Sequence, residues 1–175
     1  MTTNVPKQYL WLAKETAPKM LIEALKLYGT QERPGNTDNP EILGWADEIQ
    51  AVGYKADEIP WCGLFMGVVA KRAGKSVPEN PLWAKNWAAW GDAVPPQLGC
   101  VMVFTRTGGG GHVALYIGED KESYHVLGGN QGDSVSIMRI RKERAIASRA
   151  SYKIPPDNAR RIILSAVGDM STNEA

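Results

Sequence analysis

The chain has 175 residues, 43% hydrophobic and 22% charged, which is enough apolar material for one folded domain and too much for a chain that stays disordered. Twenty Lys and Arg stand against 19 Asp and Glu, so the net charge of +1 lacks the broad basic field that nucleic-acid binding requires. Two cysteines exclude a disulfide scaffold.

In chain order, "MTTNVPKQYLWLAKETAPKM" lacks the basic start, apolar run and small-residue cleavage site of a secretory leader. No apolar run approaches membrane-spanning length. The expectation is synthesis in the cytoplasm, no membrane insertion, and delivery elsewhere only by another agent.

Helical patterns come first. Met20, Leu21, Ala24, Leu25 and Tyr28 form one stripe, with Gly29 as a stop. The turn-rich "GTQERPGNTDNP" follows. A second helix resumes at Pro40, with Ile42, Trp45, Ala46 and Ile49 at helical spacing. A third starts near Pro60 and runs through Phe65, Met66 and Val69 to Gly74. "PLWAKNWAAWG" gives a fourth apolar pattern.

Beyond it the period changes to two. "CVMVFTR", "HVALYIG", "SYHVLGG" and "DSVSIMRI" read as consecutive strands joined by Gly, Asp and Ser turns. Helices early and strands late indicate an α+β fold, with the helices packed on an antiparallel sheet. The organisation expected is one domain over 1–155, helical over 1–92 and sheet over 98–155, followed by an extension over 156–175 whose last residues are mobile. The basic stretch "IRKERAIASR" reads as a solvated face.

Cys62 lies where the third helix begins, a place usually given to a capping Ser, Thr or Asp. The first turn of a helix offers unpaired N–H groups and the positive end of the macrodipole, and both favour a thiolate. A base must reach the same place, and the chain has two histidines. In the strand "HVALYIG", His112, Ala114 and Tyr116 share one face. A hairpin centred near Lys121 sets His112 opposite Asn130, and His125 opposite Ile117 on the other face. His112 is therefore the base candidate and His125 a structural residue. A bulge would turn Asn130 away. Cysteine, imidazole and carboxamide together fit acyl chemistry, with backbone N–H groups of the Cys62 helix available to an oxyanion.

The stretches "DEIPWCGLF", "WAKNWAAWG", "GGHVALYIGED" and "VLGGNQGDSVSI" resemble the CHAP and NlpC-type cell-wall cysteine hydrolases, in particular the short phage-lysin branch, over about Gly35 to Pro155. The resemblance implies a papain-like fold and cleavage of an amide bond in peptidoglycan. It implies Cys62 as nucleophile, His112 as base and Asn130 as third member, with Glu119 the weaker alternative for that third place. Activity would be that of an endopeptidase or N-acetylmuramoyl-L-alanine amidase, without cofactor, in a monomer that acts on the wall after release by a holin, as a phage endolysin does. An injected interbacterial effector with an immunity partner is the alternative carrier, and a cysteine amidase or transferase on a non-wall substrate the alternative activity.

Trp61, beside the nucleophile, is a candidate for lining the cleft, and Asp57 for meeting a substrate amine. In the stripe Trp83, Trp87 and Trp90, core packing competes with stacking on sugar rings; Trp87 is counted with the substrate-binding candidates. Cys100 reads as structural. A metal is not expected, because no C-x-x-C or close His pair supports zinc and no loop is rich enough in oxygen ligands for calcium.

Overall fold

A computed structural model describes residues 4–35 and 37–172. Three α-helices precede the sheet: α1 (Lys19–Lys26), α2 (Pro40–Glu48) and α3 (Cys62–Arg72). Asn39 caps α2 by accepting from the Glu41 N–H, with Pro40 at the first helical position. The chain also makes a 3-10 helix at Lys7–Lys14, which the sequence pattern did not signal. The fourth apolar pattern becomes a second 3-10 helix, Ala84–Ala89, rather than an α-helix.

Six strands form one antiparallel sheet: β1 (Asp92–Ala93), β2 (Val101–Thr105), β3 (Gly111–Glu119), β4 (Ser123–Gly128), β5 (Ser136–Arg141) and β6 (Ala145–Ala150), in the order β1-β6-β2-β3-β4-β5. The fold is thus α+β, as the change of period indicated. Strand β6 occupies part of the stretch read as a solvated basic face. It pairs with β2 and inserts between β1 and β2, a long-range pairing with no local turn signal.

Helix α3 is apolar on every side, which is the pattern of a central helix. All nine residues from Cys62 to Ala70 are buried. Its neighbours come close: a Cβ on Gly63 would stand 2.2 Å from the Pro81 carbonyl oxygen, so only glycine lets the 81–82 backbone cross the helix there. On the sheet, Val113, Leu115 and Ile117 join the helical core, whereas Ala114 and Tyr116 join Cys100, Met102, Phe104, Val126 and Ile140 in a second cluster.

The β3–β4 hairpin keeps the anticipated register at Leu115↔Leu127 and Tyr116↔Val126. A bulge between Tyr116 and Gly118 then sets His125 opposite Gly118 rather than Ile117. The irregularity therefore falls at the end away from His112.

The segment after β6 is tied down. The Arg160 and Ile162 carbonyls accept from the Leu98 and Glu119 N–H groups, Leu164 donates to Glu119, and residues 169–171 bond to Arg139 on the edge strand β5. The extension thereby covers a sheet edge that would otherwise carry open hydrogen-bonding groups. The expectation of mobility at the chain end concerns residues 173–175 and lies outside the described residues. Among the described residues, no helix is long and apolar enough to cross a membrane.

Candidate active site

Trp61, the residue preceding α3, makes no side-chain cap. The Cys62 sulfur, on the first helical residue, has the backbone N–H groups of Gly63 and Val113 directed at it. Burial would push the Cys62 thiol up. A hydrogen bond to His112, the charge of that imidazole and the two N–H groups outweigh burial and bring it below its ordinary value. Cys62, with 3% exposure, and His112, with none, are both buried side chains.

His112 is the second residue of β3, at the rim of the sheet, where the start of α3 reaches it. Its ring lies beside Phe104, with centroids 6.5 Å apart. Its Nε2 is 2.9 Å from the side-chain oxygen of Gln131. The Gln131 amide nitrogen donates to the carbonyls of Val126 (3.2 Å) and Ser136 (2.7 Å), so the oxygen is the end turned to the imidazole. An amide oxygen only accepts, which puts the proton on Nε2 and leaves the Nδ1 lone pair for the Cys62 proton.

The backbone beneath Gln131 is equally constrained. Its N–H donates to Ser134, and the hydroxyls of Ser134 and Ser136 both donate to its carbonyl. Asn130, Gly132 and Asp133 take left-handed conformations around it.

The amide that meets His112 Nε2 is therefore one residue beyond Asn130, the expected third member. Strand β4 ends at Gly128, and Asn130 sits in the turn with φ of 57° rather than in an extended continuation of the strand. Gln131 has the extra methylene needed to reach back from the turn to the ring. Its place in "GGNQGD" was visible in the sequence, but strand parity favoured its neighbour. Glu119, the alternative, is engaged by the Arg161 guanidinium at 2.6 and 2.9 Å, by Lys142 and by the Tyr116 hydroxyl.

The three expected substrate contacts are interior residues. Trp61 is fully buried, donates its indole N–H to Glu32 at 3.1 Å and packs on Trp45. Asp57, also fully buried, accepts from the Arg33 and Asn39 N–H groups and thereby closes the loop before α2. Trp87 is fully buried and donates to the Pro81 carbonyl at 3.0 Å. Each holds the frame of the site instead of facing a ligand. Of the tryptophan stripe only Trp83 is exposed, at 70%.

Cys100 and His125 sit in interior surroundings. Burial pushes the Cys100 thiol up, and its sulfur lies 3.2 Å from the Ser148 hydroxyl. Both cysteines are free thiols. Among the described residues, no group of three or more His, Cys, Asp or Glu is placed to hold a metal. Comparison of the chain with protein-family models, with curated proteins and with solved structures gives no match.

Proposed function

We propose that this chain is a cysteine amide hydrolase of the bacterial cell wall, with a papain-like arrangement of helix and sheet. The observation that carries the reading is a lone cysteine at the start of α3 set beside the His112 imidazole, whose tautomer Gln131 fixes at 2.9 Å. Nucleophile, base and orienting group come from the start of a helix, the start of a strand and a turn. Such convergence has no evident packing purpose, since an apolar trio would fill the space without three polar groups to satisfy.

The chemistry follows from the proton positions. Cys62 transfers its proton to His112 Nδ1, and the sulfur attacks the amide carbonyl carbon. The carbonyl oxygen becomes an oxyanion beside the N–H groups that face the sulfur, those of Gly63 and Val113. The imidazolium returns its proton to the amine as the C–N bond breaks, leaving a thioester. Water, deprotonated by His112, cleaves the thioester to a carboxylic acid and regenerates the thiol. Gln131 keeps Nε2 protonated throughout, and no cofactor is needed for any of these steps.

Peptidoglycan as the substrate rests on the likeness of "DEIPWCGLF" and "GGHVALYIGED" to cell-wall hydrolases. The role of a phage endolysin, released by a holin, rests on the same likeness, which is to the short phage-lysin branch. Purified peptidoglycan cast in a gel should be cleared by the wild type and left intact by Cys62→Ala. An opaque gel under folded wild-type protein refutes the cell-wall assignment.

A further inference from the structure

The end of α3 opposite Cys62 borders a cavity of about 570 Å³, within the range of small-molecule sites. None of Cys62, His112 and Gln131 lines it, and the 11 residues of α3 set it roughly 16 Å from the nucleophile. Met20, Trp90 and Val101 give it a buried apolar lining. Close backbone crossings build its walls. A Cβ on Gly99 would stand 2.3 Å from Pro18, and one on Gly91 2.3 Å from the Ala150 carbonyl oxygen.

The charged lining has one sign. Lys19, Lys75, Arg149 and Lys153 border the cavity, and no Asp or Glu does. The whole chain carries 20 Lys and Arg against 19 Asp and Glu, so four cations without a carboxylate are a local excess. None of the four makes an ion pair among the described residues. Two of them are held in place. Arg149 donates Nε to the Trp90 carbonyl at 3.0 Å, and Lys75 Nζ stands 5.9 Å from the centre of the Tyr152 ring. Trp90 also donates its indole N–H to the Ser76 carbonyl at 2.9 Å, which ties the strand carrying Arg149 to the turn carrying Lys75. The terminal nitrogens of Arg149 make no hydrogen bond to a described residue, so its fork is left for a ligand. The start of α1, without a side-chain cap, adds open N–H groups to the same wall. The opposing carbonyls at the end of α3, those of Val69, Ala70 and Lys71, already accept from Ala73, Lys75 and Gly74.

We propose that this cavity binds a phosphate ester carried on a small apolar body. Arg149, Lys75 and the start of α1 take the phosphate, and Met20, Trp90 and Val101 take the body. Cations crowded around one cavity repel each other, and a doubly charged phosphate offsets that repulsion better than a single carboxylate. Such a group arrives on a soluble monoester or as the headgroup of an anionic lipid. In the lipid case Ile154, 84% exposed beside Lys153, is the residue that meets the acyl region. The proposal is independent of the cell-wall reading, because no residue of the candidate active site takes part.

Calorimetry of the full chain with phenyl phosphate tests the soluble ester, with phenol as the uncharged control. Phenyl phosphate should bind with a dissociation constant below about 1 mM, and phenol should not bind in that range. Lys75→Gln and Arg149→Gln should each weaken binding about tenfold. Lys19→Glu/Lys153→Glu, which alters two exposed side chains and leaves the fold intact, should abolish it. Sedimentation with vesicles of equal parts phosphatidic acid and phosphatidylcholine, against phosphatidylcholine alone, tests the lipid. Sedimentation with the anionic vesicles only, lost in Lys19→Glu/Lys153→Glu and reduced in Ile154→Ser, assigns the lipid headgroup. Phenyl phosphate binding without sedimentation assigns the soluble ester. Phenyl phosphate bound no better than phenol together with no sedimentation overturns the proposal, as does any binding that survives the double charge reversal unchanged.

Discussion

The two histidines sit on neighbouring strands of one sheet, both fully buried, yet their surroundings prepare them for opposite roles. His125 is closed at both nitrogens: the Tyr9 hydroxyl donates to Nδ1 at 2.6 Å, and Nε2 donates to Asp120 at 2.8 Å. Asp120 is itself held by Arg139 and by the Glu122 and Ser123 N–H groups. Burial outweighs the carboxylate and lowers the His125 pKa, so the ring stays neutral and saturated. His112 faces a neutral amide on one side and a thiol on the other. A carboxylate partner inside a closed network makes a strut, whereas an amide partner beside a depressed thiol leaves a proton acceptor in reach of chemistry. The cysteines divide the same way, with Cys62 lowered by its imidazole and N–H partners and Cys100 raised by burial.

Removing the proton acceptor gives the largest effect. His112→Ala should fold and lose hydrolysis by on the order of 10⁴-fold or more, because the base and the partner of the thiol go together. Clearing assays with circular dichroism on the same sample check it. Loss of fold with loss of activity would mean that His112 is a strut like its neighbour.

The mirror change, His125→Ala, removes the centre of the Tyr9–His125–Asp120 chain and leaves buried polar atoms without partners. It should destabilise by about 2–4 kcal/mol, lowering the melting temperature by roughly 4–16 °C. Hydrolysis by the folded fraction should stay within a few-fold of wild type, since no atom of that network belongs to the site. A collapse of kcat at full stability would break the contrast between the histidines.

Sharpening the contrast requires the third residue. Gln131→Ala frees the imidazole to choose its tautomer and should reduce kcat by about 10- to 100-fold, with a smaller change in KM. Gln131→Glu replaces the amide with an acid like that beside His125, and should shift the acid limb of the pH–rate profile upward by favouring imidazolium. A profile unmoved by Gln131→Glu would show that the 2.9 Å contact does not steer the base.

These contrasts were partly legible in the residues. Helices and strands announced themselves by period, and α3 by an apolar run with Pro60 before it and Gly74 after it. Cys62 and His112 stood out by scarcity and by position. The hairpin register was legible as far as Leu115↔Leu127, because the turn centred near Lys121 set it. Beyond Gly128 alternation ceases, and side-chain length decides which amide reaches the ring. No periodic signal encodes that choice. Strand β6 was hidden for a similar reason: its partners β1 and β2 lie about 50 residues away in sequence, and long-range pairing leaves no local mark. Burial of Trp61, Asp57 and Trp87 depends on what crosses over them, which composition does not reveal.

The smallest expected effect probes the far end of the sheet, where Glu119 holds the extension through Arg161 and the sheet edge through Lys142. Burial opposes the charged form of Glu119, and hydrogen bonds from Arg161, Lys142 and Tyr116 overcome it, bringing the carboxyl from 4.5 down to about 2. A carboxyl depressed on folding contributes stability that is complete above its unfolded value and disappears as protons bind the folded form. Glu119→Gln should therefore cost about 1–2 kcal/mol near neutral pH, moderated by the solvent around Arg161. The deficit should shrink as pH falls through 4.5 and vanish near pH 2, where the wild-type carboxyl is protonated as well. Urea unfolding of the pair along that range checks the sign. A deficit independent of pH would mean that the shape of the Glu119 side chain, rather than its charge, anchors the extension.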